Sequence, residues 1–114
     1  MLGQRTLLVN PPPIEGIRFT RQGRCQERED VLGTTKPPYT LVLLASLLRE
    51  AGCEVRLIDQ TAENLSAKDL IARLKVEKFT PTIVIFCSTT PTLEADAAEM
   101  LIFKEHWQVP IFSF

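Results

Sequence analysis

Two stretches of the chain are dense in hydrogen-bonding groups that could hold a ligand, and they lie far apart in sequence. The first runs from Asn10 to Pro38: Asn10-Pro11-Pro12-Pro13, then Arg18, Arg21, Gly23-Arg24-Cys25-Gln26 and Arg28, then Lys36-Pro37-Pro38. It is far longer than a strand-to-helix turn requires, and long loops in compact domains are usually functional or disordered. Packing alone would account for the prolines as a stiff strand exit, and for the arginines as a solvated surface beside Glu15, Glu27, Glu29 and Asp30. The second stretch is Cys87-Ser88-Thr89-Thr90-Pro91-Thr92, a hydroxyl-rich turn leading into a helix. Its backbone N–H groups and hydroxyls suit amides, phosphates or carboxylates. One hydroxyl is expected to cap the helix, which leaves others to face a ligand.

Other reactive side chains point to less. Cys25, Cys53 and Cys87 are an odd, scattered set without a C-x-x-C pair, so neither a disulfide framework nor a zinc site is indicated. Cys87 ends an apolar run and reads as an inert core thiol. His106, the only histidine, falls near the end of a helix without companion ligands, where it suits a charge at the helix C-terminus better than catalysis. No G-x-G-x-x-G and no P-loop occur, and prolines after the first strand cannot supply the N–H donors of a flavodoxin phosphate loop. Where a receiver domain would carry its phosphoacceptor aspartate, this chain has Cys87-Ser88.

These segments need a scaffold, and the hydrophobic pattern predicts one. Thr6-Leu7-Leu8-Val9 reads as a buried strand that stops at Asn10. Tyr39 to Ala51 reads as a helix with Leu41, Leu44, Ala45 and Leu48 inward and Gly52 beyond its end. Glu54 to Asp59 alternates as a second strand. Ser66 caps a second helix, with Asp69 three residues on and Ala67, Leu70, Ile71 and Leu74 as its buried stripe. Thr82 to Cys87 is unbroken and β-branched, as suits a central strand. A third helix opens at Thr90 or Thr92, with Leu93, Ala97, Met100 or Leu101, and Lys104 on one line. Val109-Pro110-Ile111-Phe112 starts a fourth strand, with its proline near the beginning.

Strands alternating with helices predict right-handed crossovers and an α/β fold: a three-layer, doubly wound parallel sheet in the flavodoxin-like strand order 2-1-3-4. Residues 1–114 are expected to form one domain, truncated before a fifth strand. The apolar fourth strand is then an open edge, so either the polypeptide continues past Phe114 or this edge pairs with another chain, for instance as a homodimer. Ligands bind such sheets beyond the carboxyl ends of the strands where the winding reverses, here between the first and third strands, where both hydroxyl turn and proline segment converge.

With a net charge of -1 the chain has no field favouring nucleic acid or an anionic membrane. Neither a signal peptide nor a bilayer-spanning apolar run is present, and the expected location is the cytoplasm.

The ordered combination L-L-V-N-P-P-P, G-R-C-Q, K-P-P-Y-T-L-V-L-L-A-S-L-L-R-E-A-G, E-V-R-L-I-D with A-E-N, and S-T-T-P-T-L-E-A-D resembles the N-terminal cobalamin-binding domain of the B12-dependent radical SAM proteins. The resemblance covers nearly the whole chain. It implies a corrinoid held at the carboxyl rim by Asn10, Pro11, Pro12, Pro13, Arg24, Cys25 and Gln26 from the long loop and by Ser88, Thr89, Thr90 and Thr92 from the turn. It further implies a radical SAM barrel, in cis or in trans, holding S-adenosylmethionine and a 4Fe-4S cluster. The C-x-x-x-C-x-x-C trio of that barrel does not occur in this sequence. The D-x-H-x-x-G motif of methionine synthase-type domains is also absent, so the resemblance implies cobalamin without a protein histidine on cobalt. On this reading the domain positions a corrinoid for chemistry such as methyl transfer and is not catalytic alone. The alternative is a non-catalytic scaffold module that self-associates through its fourth strand.

Overall fold

The computed structural model describes residues 3–17, 19–20, 27–28, 39–88 and 92–114, with backbone alone at 19–20 and 27–28. In chain order the elements are β1 (Arg5–Asn10), β2 (Phe19–Thr20), β3 (Glu27–Arg28), α1 (Tyr39–Glu50), β4 (Glu54–Asp59), α2 (Gln60–Glu63), α3 (Ala67–Val76), β5 (Ile83–Phe86), α4 (Leu93–Trp107) and β6 (Ile111–Ser113). β1, β4, β5 and β6 form one sheet in the order β4-β1-β5-β6, with every pairing parallel. This is the flavodoxin-like 2-1-3-4 order that the sequence predicts. β2 and β3 pair as a small antiparallel ribbon inside the long first connection, an element the sequence pattern did not announce.

The sheet is sandwiched between unequal layers. On one face α3 and α4 cover Leu7, Val9, Ile58, Val84 and Phe86, with Leu70, Leu74 and Phe103 as the helical half of the core. Phe103 is fully buried, its ring 5.5 Å from Phe86 and stacked on Trp107 at 5.4 Å. On the other face α1 is the one helix among the described residues over Leu8, Leu57 and Ile85, inserting Leu41, Leu44, Ala45 and Leu48. The alternation of inward side chains along β1 is the period-two consequence of a strand buried on both faces.

Local chemistry explains the boundaries. α1 ends where Gly52, at φ +94°, takes a backbone conformation in which a Cβ would be strained. Ser66 caps α3 by accepting from the Asp69 N–H at 3.2 Å. Pro110 stands just ahead of β6, where its carbonyl still accepts from Val84 N–H and its missing N–H costs nothing.

α4 turns a different side inward from the one its apolar line predicts. Leu93 and Leu101 are more than half exposed, while Asp96 and Phe103 are buried. Asp96 points inward because its carboxylate receives two hydroxyl hydrogen bonds, an attraction that hydropathy patterns do not register.

Candidate functional site

At the carboxyl ends of three adjacent strands, the last residues join in a hydrogen-bonded row. Asn10, ending β1, donates from Nδ2 to Asp59 Oδ1 at the end of β4 at 2.8 Å. On its other side Asn10 Oδ1 accepts from the Cys87 thiol just past β5 at 3.1 Å. The parallel register makes this row inevitable once the folds align, since Asn10 lies opposite Asp59 and Val9 opposite Phe86. Asn10 and Cys87 are both buried, so the row forms a solid floor rather than a solvated fringe. Asp59 also caps α2, accepting from the Ala62 N–H at 3.0 Å. Thr61 on α2 donates to the Pro11 carbonyl and so ties the proline segment to the floor.

Beyond β5, Ser88 and Thr92 share one partner. The Ser88 and Thr92 hydroxyls each donate to the same oxygen, Asp96 Oδ2, at 2.7 Å. Thr92 occupies the N-cap position of α4 but makes no side-chain capping bond, so the capping expected of a hydroxyl here is replaced by a link to a buried carboxylate. Asp96 is 1% exposed, and the pairing satisfies a group that would be costly to bury alone.

A groove of about 430 Å³ opens beside the floor, lined by Pro12, Pro13, Ser66, Lys68, Glu99 and Ile102 among others. Glu99 reaches from α4 to the N-terminus of α3, where it accepts from the Ala67 N–H, and it also takes a hydrogen bond from Gln60 Nε2 at 3.3 Å. Burial pushes the Glu99 carboxyl above its ordinary range and neighbouring Asp96 adds to that push, while the bonds from Gln60 and Ala67 work against it. Gln60 is fully buried, donates also to the Leu65 carbonyl, and leaves its Oε1 without a hydrogen-bond partner among the described residues.

The structure brings Asn10, Pro11, Pro12 and Pro13 to the same rim as Ser88 and Thr92, linked through Cys87. Arg24, Cys25, Gln26, Thr89 and Thr90 lie outside the described residues. Asp59, Gln60, Asp96 and Glu99 were not among the site residues expected from the sequence, where Asp96 and Glu99 read only as acids favourable near the N-terminal end of their helix. Asp59 could have been found, because it closes the second strand at the height where the first ends in Asn10. His106 sits in the last turn of α4, which leads to the amino end of β6, the opposite rim from the floor. Among the described residues no group of histidine, cysteine, aspartate and glutamate side chains is placed to hold a metal ion, and no helix is long and apolar enough to cross a membrane.

A Pyrococcus horikoshii protein named as an uncharacterized methyltransferase is 38% identical to the chain over 89 residues, which is 78% of this chain and 16% of that protein. The chain thus spans about a sixth of the length of the relative it matches. No family model matches the chain, and no solved structure matches it.

Proposed function

We propose that this chain is a corrinoid-binding module that positions cobalamin for methyl transfer completed by a radical SAM barrel, in cis or in trans. The observation that carries the reading is the Asp59–Asn10–Cys87 row. It makes a floor, buried at Asn10 and Cys87, at the point where the winding of the sheet reverses, the place where doubly wound folds bind their ligands. A corrinoid is a broad, flat macrocycle fringed with amides, and this row would underlie it, with partly exposed Asp59 as the polar group at its edge. No imidazole stands in the row, and His106 lies at the far rim, so the donor set fits a corrinoid whose lower face carries no protein histidine. The name of the Pyrococcus horikoshii relative agrees with a role in methyl transfer.

The chain's own contribution is placement. Asn10 fixes the exit of β1, and Pro11 to Pro13 border the floor with rings that cannot donate a hydrogen bond. Asp96 ties Ser88, just past β5, to Thr92 at the start of α4. The groove by Pro12, Pro13 and Lys68 gives room for an amide-bearing edge of the ligand. A bound corrinoid would supply cobalt-centred methyl carriage, chemistry that amino-acid side chains cannot perform.

Titration of the purified chain with hydroxocobalamin tests this reading. The expected result is a shift of the corrinoid absorption spectrum and co-elution of corrinoid with protein. An unchanged spectrum without co-elution would overturn it.

A further inference from the structure

α2 is a single turn, too short to hold itself together, because nucleating a helix is unfavourable and one turn adds too few bonds to offset it. It is held from β1, α4 and α3 instead. Toward β1, Asp59 at its N-cap accepts from the Asn10 amide, and the Thr61 hydroxyl donates to the Pro11 carbonyl. Toward α4, Gln60 Nε2 donates to Glu99 Oε1 at 3.3 Å, and it also donates to the Leu65 carbonyl just beyond the turn at 2.9 Å. Toward α3, Arg73 Nη1 lies 2.9 Å from both carboxylate oxygens of Glu63.

The residues that α2 turns inward are both polar: Gln60 is 0% and Thr61 2% exposed. Packing does not call for a hydroxyl at Thr61, since valine has nearly the same shape and brings no polar group to satisfy. The hydroxyl answers a bonding need in Asn10-Pro11-Pro12-Pro13. Successive prolines have no N–H, so hydrogen bonds to their backbone can go only to the carbonyls, from donors on other elements. Each proline also fixes its own φ and extends the residue before it, which makes the run a stiff rod of about 9 Å at ~3.1 Å per residue. Beyond the rod the chain doubles back at once. Ile14 and Ile17 exchange backbone hydrogen bonds at 2.9 and 2.8 Å across a turn with Glu15 at φ 50° and Gly16 at φ 80°. The direction of this arm is therefore set at its base, at buried Pro11, and Pro12 and Pro13 carry it to the groove they line.

We infer that Thr61 is a positioning residue for the corrinoid, acting through the Pro11 carbonyl to keep the proline arm in one direction along the rim before any ligand arrives. The ligand is that of the proposed function, on which this inference rests. Gln60 and Glu63 serve the same end by holding α2 still against α4 and α3. The consequence is affinity. An arm fixed in advance needs no ordering on binding, whereas an arm that swings is competent only part of the time and lowers the apparent affinity by that fraction.

Amide nitrogen relaxation and hydroxocobalamin titration of the intact chain test the inference on the wild type, Thr61→Val and Thr61→Ser. In the ligand-free wild type the Ile14 and Ile17 amides should be as ordered as those of β1, with order parameters near ~0.85. Thr61→Val keeps the shape and loses the donor. Its Ile14 and Ile17 order parameters should fall toward ~0.6 while β1 and β5 keep theirs, and its corrinoid affinity should drop roughly fivefold, the worth of one hydrogen bond. Thr61→Ser, which keeps the hydroxyl, should bind within about twofold of the wild type. Arm amides that are mobile in the ligand-free wild type would overturn the inference, and so would a folded Thr61→Val chain whose arm is as ordered, or whose affinity is as high, as the wild type's. A wild type that binds no corrinoid overturns the corrinoid reading and the ligand named here. The relaxation data, which need no ligand, distinguish that failure from a failure of Thr61 to hold the arm.

Discussion

Replacing Asn10 by alanine tests whether the floor is a structural unit. Asn10 is 5% exposed and bridges two partners, donating to Asp59 at 2.8 Å and accepting from Cys87 at 3.1 Å. A hydrogen bond to a charged group contributes about 1.5–3 kcal/mol. The lower end applies, because Asp59 keeps its bond from the Ala62 N–H. The thiol is a weak donor, so its loss adds roughly 0.5 kcal/mol. The total, about 2 kcal/mol, corresponds to a fall in Tm of on the order of 10 °C for a domain of this size. Urea unfolding at neutral pH should show a lower midpoint at unchanged m, and calorimetry should give the matching drop in Tm. Asn10→Asp supplies the companion measurement, since it sets a second carboxylate against Asp59. Crowding of like charges raises the folded-state pKa of that pair, so the folded protein binds the extra proton more readily than the unfolded chain. The penalty is therefore largest at neutral pH and shrinks as pH falls through the folded-state pKa. An Asn10→Ala variant destabilised by less than about 0.5 kcal/mol, or an Asn10→Asp variant whose penalty ignores pH, would mean that Asn10 does not tie the strand ends together.

Asp96→Ala removes the common acceptor of the Ser88 and Thr92 hydroxyls and should cost about 3 kcal/mol at two bonds of roughly 1.5 kcal/mol each, read by denaturant unfolding. Asp96→Asn, which keeps one carbonyl acceptor, should cost less. Because burial holds the Glu99 pKa above its ordinary range, the stability this group contributes is present below its unfolded-state pKa and is lost as pH rises through the folded-state one. Stability curves of the wild type and Glu99→Gln should accordingly diverge as pH climbs out of the ordinary glutamate range, the wild type losing ground; parallel curves would contradict this. Phe103→Ala empties a fully buried position between Phe86 and Trp107 and should cost about 3–5 kcal/mol, with a thermal melt as the readout.

The architecture was legible because its signals are local and repeated. Three apolar strand runs, a helix ended by Gly52 and a Ser66 cap each declare themselves within a few residues, and the crossover rule then orders the strands. Two smaller elements were not. β2 and β3 hold two residues each, too few for alternation to register. α2 is one turn long and is set by Asp59 at its N-cap and by Asn64 in the left-handed conformation at its end, neither of which stands out from a loop. The inward face of α4 was missed for a different reason. Asp96 is drawn into the protein by hydroxyls on its own turn and on Ser88, a tertiary pairing that apolar spacing cannot express. The same limit governed the site. Asn10 and the Ser88–Thr92 turn were visible as breaks at strand ends, but their connection runs through Asp59, Cys87 and Asp96, which only strand register and burial bring together.

Two-dimensional amide NMR spectra of the chain, recorded with and without hydroxocobalamin, locate any corrinoid on the sheet. Shift changes should gather at the carboxyl rim, on the amides of Asn10, Ile14, Asp59, Cys87 and Ser88, while Gly52, Lys78 and Gln108 at the opposite rim stay still. Changes centred on the opposite rim, or none at saturating corrinoid, would contradict binding at the carboxyl rim.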